Sequence, residues 1–181
     1  MIAVADTSPI VYLVLIGEIE LLPALFAEVV IPSGVAAELS DPRAPAPLKD
    51  WWREPPAWIR VADPGGEPAP EAIERLHRGE REAILLARRI RVDMVLLDDK
   101  AARRAANILG LPVMGLLGIL AAASVQRRVD VAQAVERLQR TNFRVSPELL
   151  KDLLERASRL RVEEVLRKAP DVEPDEQDRL D

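Results

Sequence analysis

The sequence predicts an α/β protein in which helices cover both faces of a central parallel sheet. Three observations predict it. Short apolar runs rich in β-branched residues alternate with stretches of helical composition. Those runs lack the polar–apolar alternation of a half-solvated strand, as strands buried on both faces do. Acidic residues stand where several of these runs end, and ligands of such sheets bind beyond the carboxyl ends of the strands.

Ile2-Ala3-Val4-Ala5 reads as a buried strand ending at Asp6. Residues from Ser8 to Phe26 are largely apolar helix formers broken near Gly17, which predicts two short helices. Glu28 to Ile31 is a second strand; Pro32 then falls at a helix start, and Ser33 to Leu39 continues it. Asp41 to Ala57, proline-rich around Trp51 and Trp52, predicts a loop with a short helix that forms a flap. Trp58 to Ala62 reads as an edge strand, and Pro64 to Pro70 as a turn-rich linker.

Glu71 to His77 and Gly79 to Ile90 read as helices. Met94 to Leu97 is a strand ending in Asp98-Asp99. Lys100 to Leu109 is a helix closed by Gly110, a natural C-cap. Pro112 to Met114 is a short strand. Helices follow over Leu116 to Gln126, Val131 to Gln139 and Pro147 to Leu160, the last opened by Ser146. A charged tail spans 161–181: Arg161 to Lys168 extends the helix, and the acidic stretch Ala169 to Asp181 is expected to be disordered.

At 181 residues the chain fits one domain with a substantial core. It has no cysteine and one histidine, His77, which excludes disulfides and thiolate metal sites. The remaining ligands are hard oxygens, and these select Mg²⁺ or Mn²⁺. No apolar run reaches the roughly 18 residues of a membrane span, so no membrane partner is expected. The chain opens directly into a strand-like run with no basic region before it, which predicts a cytoplasmic protein without a signal peptide. The net charge of −5 runs against nucleic-acid binding. Acids clustered at a metal site inflate that count, however, and bound cations offset it. The basic residues are mostly arginine, which suits bidentate phosphate contacts.

The candidate site is a set of carboxylates. Asp6 stands in Asp6-Thr7-Ser8-Pro9, either as a helix cap or as a metal ligand whose neighbours Thr7 and Ser8 hold a carboxylate or water in place. Glu38 follows Val35 by three residues and so shares its helix side. Glu80 shares a helical face with Ala83, Ile84 and Ala87, a face expected to be buried. Glu82 lies nearer Leu85, Leu86 and Arg89; it is a second candidate ligand or a partner of Arg89. Asp98 and Asp99 repel each other as neighbours, and one alone would cap the next helix, so the pair is best explained by a cation. Lys100, Arg103 and Arg104 follow and meet phosphate oxygens or form a solvated helix face. His77 reads as a surface residue, and Trp51-Trp52 as packing rather than base stacking.

This set predicts a metal-dependent phosphodiesterase, most simply a ribonuclease. Asp6, Glu38, Glu80 and Asp98 or Asp99 would hold one or two divalent ions, with Asp99 the preferred catalytic member of its pair. A non-catalytic binding module competes with it, favoured by the acidic balance. A phosphohydrolase of small esters ranks low, because its usual second Asp is replaced by Ser8. A receiver-like phospho-acceptor would want its paired acids at the first strand, and here that order is reversed.

Together the segments resemble the PIN domain family of metal-dependent nucleases. The matching pieces are V-A-D-T-S at Val4 to Ser8, V-I-P-S-G-V-A-A-E-L at Val30 to Leu39 and G-E-R-E-A-I-L-L-A at Gly79 to Ala87, then V-L-L-D-D-K at Val95 to Lys100 and L-P-V-M-G at Leu111 to Gly115. Gly79 to Ala83 also resembles the G-E-x-E-A segment of flap endonucleases, where both glutamates serve the metals. Residues from about 118 to 160 are similar to a helical C-terminal extension of a prokaryotic subgroup, so the resemblance covers residues 1–160. It implies a PIN-like three-layer sandwich, a Mg²⁺- or Mn²⁺-dependent ribonuclease acting on RNA, and often a homodimer. Many such proteins, close to the VapC type, are toxins silenced by a small antitoxin protein. The chain departs from the pattern at Leu97 and Leu116, where many members carry Thr or Ser; a polar contact beside the ligands is then missing.

Overall fold

A computed structural model describes residues 1–66 and 68–168 of the chain, so the tail expected to be disordered, Ala169 to Asp181, lies outside the described residues. Five strands form one sheet: β1 (Ile2–Ala5), β2 (Glu28–Pro32), β3 (Ile59–Ala62), β4 (Met94–Leu96) and β5 (Val113–Met114). Their order is β3-β2-β1-β4-β5, and every pairing is parallel. The expected parallel sheet and its edge strand are therefore present.

Nine α-helices are described: α1 (Thr7–Leu15), α2 (Leu21–Leu25), α3 (Ser33–Leu39), α4 (Ala46–Trp52), α5 (Arg78–Ile90), α6 (Lys100–Ile108), α7 (Leu116–Val125), α8 (Val131–Gln139) and α9 (Pro147–Lys168). α6 ends where Gly110 takes a left-handed φ of 74°, as its sequence predicts. One element differs from expectation. Glu71–Ile73 is a single 3-10 turn rather than a helix reaching His77. Ile73 is fully buried in the core that α5 and α6 share, and His77 is extended (ψ 158°) to open α5, so the segment between cannot continue as helix.

The sheet separates two apolar layers because successive side chains on a strand point to opposite faces. Ala3 and Ala5 of β1 face a core with Ile10, Leu13, Val35, Leu116 and Ile119, completed by α8 and α9. Val4, Val30 and Val95 face the other core, built with Ile84, Leu86, Ala102 and Ala106 of α5 and α6. Each fully buried Leu or Ile contributes roughly 1.5–3 kcal/mol by leaving water. The result is a three-layer sandwich. No helix among the described residues is long and apolar enough to cross a membrane.

The strand order places β1 beside β2 on one side and β4 on the other, so the chain reverses its direction of build at β1/β4. In an open parallel sheet that switch leaves a crevice beyond the carboxyl ends of the strands. Asp6 directly follows β1, and Asp98-Asp99 follow β4.

Candidate functional site

Asp6 is held by the sheet. Its amide donates to the Leu96 carbonyl at 3.1 Å, extending the β1–β4 ladder by one residue. At 5% exposure it is the one charged side chain buried among the described residues. Glu38 arrives from the far end of α3, and the Thr7 hydroxyl at the start of α1 donates to its Oε2. Gly79 of α5 closes the gap between the two acids. A Cβ on residue 79 would stand 3.0 Å from both Asp6 Oδ1 and Glu38 Oε1, tighter than ordinary packing allows. Both carboxylates therefore abut the same bare backbone.

Glu80 follows in the first turn of α5, where its Oε2 accepts the His77 amide at 3.1 Å. His77 is exposed, as expected, and it opens α5. Asp99 caps α6: its Oδ1 accepts the amides of Ala101 at 2.7 Å and Ala102 at 2.9 Å. Asp98 turns the other way. Its Oδ1 accepts the Leu116 amide at 2.8 Å, while its Oδ2 is buried with no partner. Leu97 and Leu116 are fully buried in the core. The polar contact that a Thr or Ser hydroxyl would give is supplied at Asp98 by the main chain of Leu116.

Glu82 does not join this group. Its Oε2 accepts the Gly34 amide at 2.7 Å and its Oε1 accepts Arg78 Nε at 2.6 Å. It ties α5 to α3, with Arg78 rather than Arg89 as partner. Gly34 must be glycine for this contact, since a Cβ there would overlap the Glu82 carboxylate. Arg89 instead donates to the Asp63 carbonyl at 3.0 Å. Lys100 and Arg103 are exposed on α6. Trp52 donates from Nε1 to Ser40 at 2.9 Å, and both Trp51 and Trp52 pack against the core.

The electrostatics are those of crowded carboxylates in which burial and mutual repulsion outweigh the few cations nearby. Burial, the largest influence, pushes Asp6 up to about 7, and the charges of Glu80 and Glu38 add to it. The amides of Thr7 and Ser8 oppose the rise, although neither reaches the geometry of a side-chain cap. Glu80 is raised by burial and then by Asp99, against the His77 amide. Asp98 is raised by burial, against the Leu116 amide and Arg103. Burial and the Asp98 charge also raise Tyr12, whose hydroxyl donates to Asn142 at 3.1 Å.

A nearby cation would reverse each of these shifts. The donors are all hard oxygens, and the orphaned Asp98 Oδ2 is a buried acceptor that lacks a partner. Their chemistry fits Mg²⁺ or Mn²⁺. Among the described residues, no three side chains converge closely enough to enclose an ion as they stand. The sequence had marked every one of these acids. It did not show the Gly79 contact, whose only signal is the glycine preceding Glu80, nor the main-chain role of Leu116.

The sheet order and the acids at its switch point define an α/β protein with an acidic crevice. A family model described as PIN domain matches residues 2–159, and the chain belongs to that family. PIN domains are generally nucleases and typically bind Mg²⁺. No curated protein and no solved structure matches the chain.

Proposed function

We propose that the chain is a metal-dependent endoribonuclease that hydrolyses RNA phosphodiester bonds, as the toxin of a type II toxin–antitoxin pair. The observation that carries the nuclease reading is the meeting of Asp6 and Glu38 at Gly79, with Asp6 buried and raised to about 7. Membership of a family of nucleases supports it. The toxin role, the antitoxin partner and the homodimer rest on the sequence resemblance alone.

Asp6, Glu38, Glu80 and Asp99 would together hold a divalent ion. A bound Mg²⁺ or Mn²⁺ lowers the pKa of water and neutralises charge on a phosphodiester. Thr7 keeps the Glu38 carboxylate turned to the crevice. Burial of Asp6 gives its carboxylate a strong preference for a cation over solvent. Asp98 keeps Oδ2 free while Leu116 fixes Oδ1, which restricts the side chain to one orientation.

The acidic balance of the chain favours a second reading, a non-catalytic binding module. One experiment decides. Purified protein is incubated with mixed single-stranded RNA in Mn²⁺, Mg²⁺ or EDTA, beside Asp6→Asn. Metal-dependent cleavage lost in the variant supports the nuclease. Folded protein that cleaves in no lane, and whose melting temperature ignores metal, supports the binding module.

A further inference from the structure

α6 carries a cationic stripe that begins beside the acidic crevice. Lys100, Arg103, Arg104 and Asn107 stand at spacings of three, four and seven, so they share one helix face. With Ile108 they line an open groove of about 570 Å³. All are exposed, and Ile108 is 70% exposed. α6 contains no acidic residue.

This placement is unfavourable for an isolated helix. Lys100 opens α6 and the two arginines follow within its next turn, where the positive end of the helix dipole repels cations. Like charges at these spacings add further repulsion. Several surface arginines outside α6 are paired, as in Arg60–Glu28, Arg137–Glu18, Arg140–Glu136 and Arg156–Asp152. Among the described residues no ion pair relieves Lys100 or Arg104, while Arg103 has the Asp98 carboxylate as an attractive neighbour. Asp99 offsets part of the charge as N-cap, and it also joins the stripe to the carboxylate group. Arg103 is close to Asp98, since both flank Gly115.

We infer that this stripe is a track for the phosphates of single-stranded RNA leading away from the carboxylates. A polyanion satisfies at once the cations, the helix dipole and the groove. Seven residues of helix span about 10 Å, room for about three phosphates of a stacked strand. Ile108 gives an apolar edge on which an unstacked base rests, and a single strand exposes base faces that a duplex hides. The inference rests on the nuclease reading for its direction, but the binding is measurable without cleavage.

The test uses the full chain carrying Asp6→Asn, in Mg²⁺, with a fluorescently labelled single-stranded RNA and anisotropy as readout. Lys100→Ala/Arg103→Ala/Arg104→Ala is compared with Arg104→Gln alone and with Arg156→Ala as a distant control. The triple variant is expected to bind on the order of tenfold more weakly at moderate salt. Its plot of log affinity against log salt should be shallower by about 2, and that of Arg104→Gln by about 0.7. The single exposed substitution keeps the test valid should the triple variant unfold. Equal affinity and equal slope in Arg104→Gln and the parent overturn the track and point to an acidic protein partner for this face. So does an equal loss in Arg156→Ala, or no RNA binding by the parent. Should the wild-type chain fail to cleave RNA while these differences hold, the track stands and the nuclease reading falls.

Discussion

The Thr7 hydroxyl donates to the Glu38 carboxylate across 31 residues of sequence, joining the start of α1 to the far end of α3. It orients an acid that no strand end positions. Asp6 is fixed by the β1–β4 ladder, whereas Glu38 depends on a helix and on this bond. Thr7→Val keeps the shape and removes the donor. Outer contacts of this kind are typically worth 10–100-fold in metal affinity or activity. The expected result is a rise of about that size in the Mn²⁺ concentration that half-saturates cleavage, with an unchanged melting temperature in EDTA. An unchanged metal requirement would remove Thr7 from the site.

Asp6 links stability to pH. Its folded pKa is raised from 3.8 to about 7, so the folded state holds the proton more tightly than the unfolded chain. The associated stability is fully present below about 4 and is lost as pH rises to about 7. A shift of this size corresponds to about 4 kcal/mol as an upper bound. The metal-free protein should therefore melt lower at pH 8 than at pH 5, and Asp6→Asn should flatten that dependence. Added Mg²⁺ should raise the melting temperature more at pH 8, where Asp6 is ionised. Parallel melting curves for the wild type and Asp6→Asn across this range would refute the link.

Gly79→Ala separates packing from stability. Alanine is the better helix former by about 1 kcal/mol, so an ordinary Gly→Ala in α5 would raise the melting temperature. Here the new Cβ meets Asp6 Oδ1 and Glu38 Oε1 at 3.0 Å. Activity is expected to fall at least tenfold while the melting temperature in EDTA changes by only a few degrees. Full activity in Gly79→Ala would show that the two acids do not need this close approach.

Glu80 and Glu82 divide the roles that sequence leaves open. Glu82→Ala removes a charge-assisted bond to the Gly34 amide, worth about 1.5–3 kcal/mol; the Arg78 contact, on an exposed arginine, adds little. Its melting temperature should fall while metal-dependent cleavage persists. Glu80→Gln should do the reverse, losing cleavage and keeping its fold. Chemical denaturation beside a cleavage assay checks both, and a swapped pattern would make Glu82 the ligand.

Much of the architecture was legible because burial on both faces writes itself into composition. Ile2–Ala5, Met94–Leu96 and, after its first residue, Glu28–Pro32 are apolar without alternation, and that pattern occurs chiefly in covered parallel strands. Gly110, placed after a helical run, announced its own left-handed cap. The segment Glu71 to His77 has the composition of a helix, but the anchoring of Ile73 in the core and the extended His77 that opens α5 interrupt it.

The sequence by itself determined which acids this protein could use and the class of ion they would take, because chemistry is a property of residue type. It also placed Asp6, Asp98 and Asp99 at one edge of the sheet, because they follow the ends of two parallel strands. Only the tertiary structure decided how those acids divide. Glu82 is drawn to the Gly34 amide and Asp98 to that of Leu116, while Asp6 and Glu38 meet over Gly79. Those partners lie 48 and 18 residues away along the chain, and no local pattern encodes which distant amide a carboxylate will find.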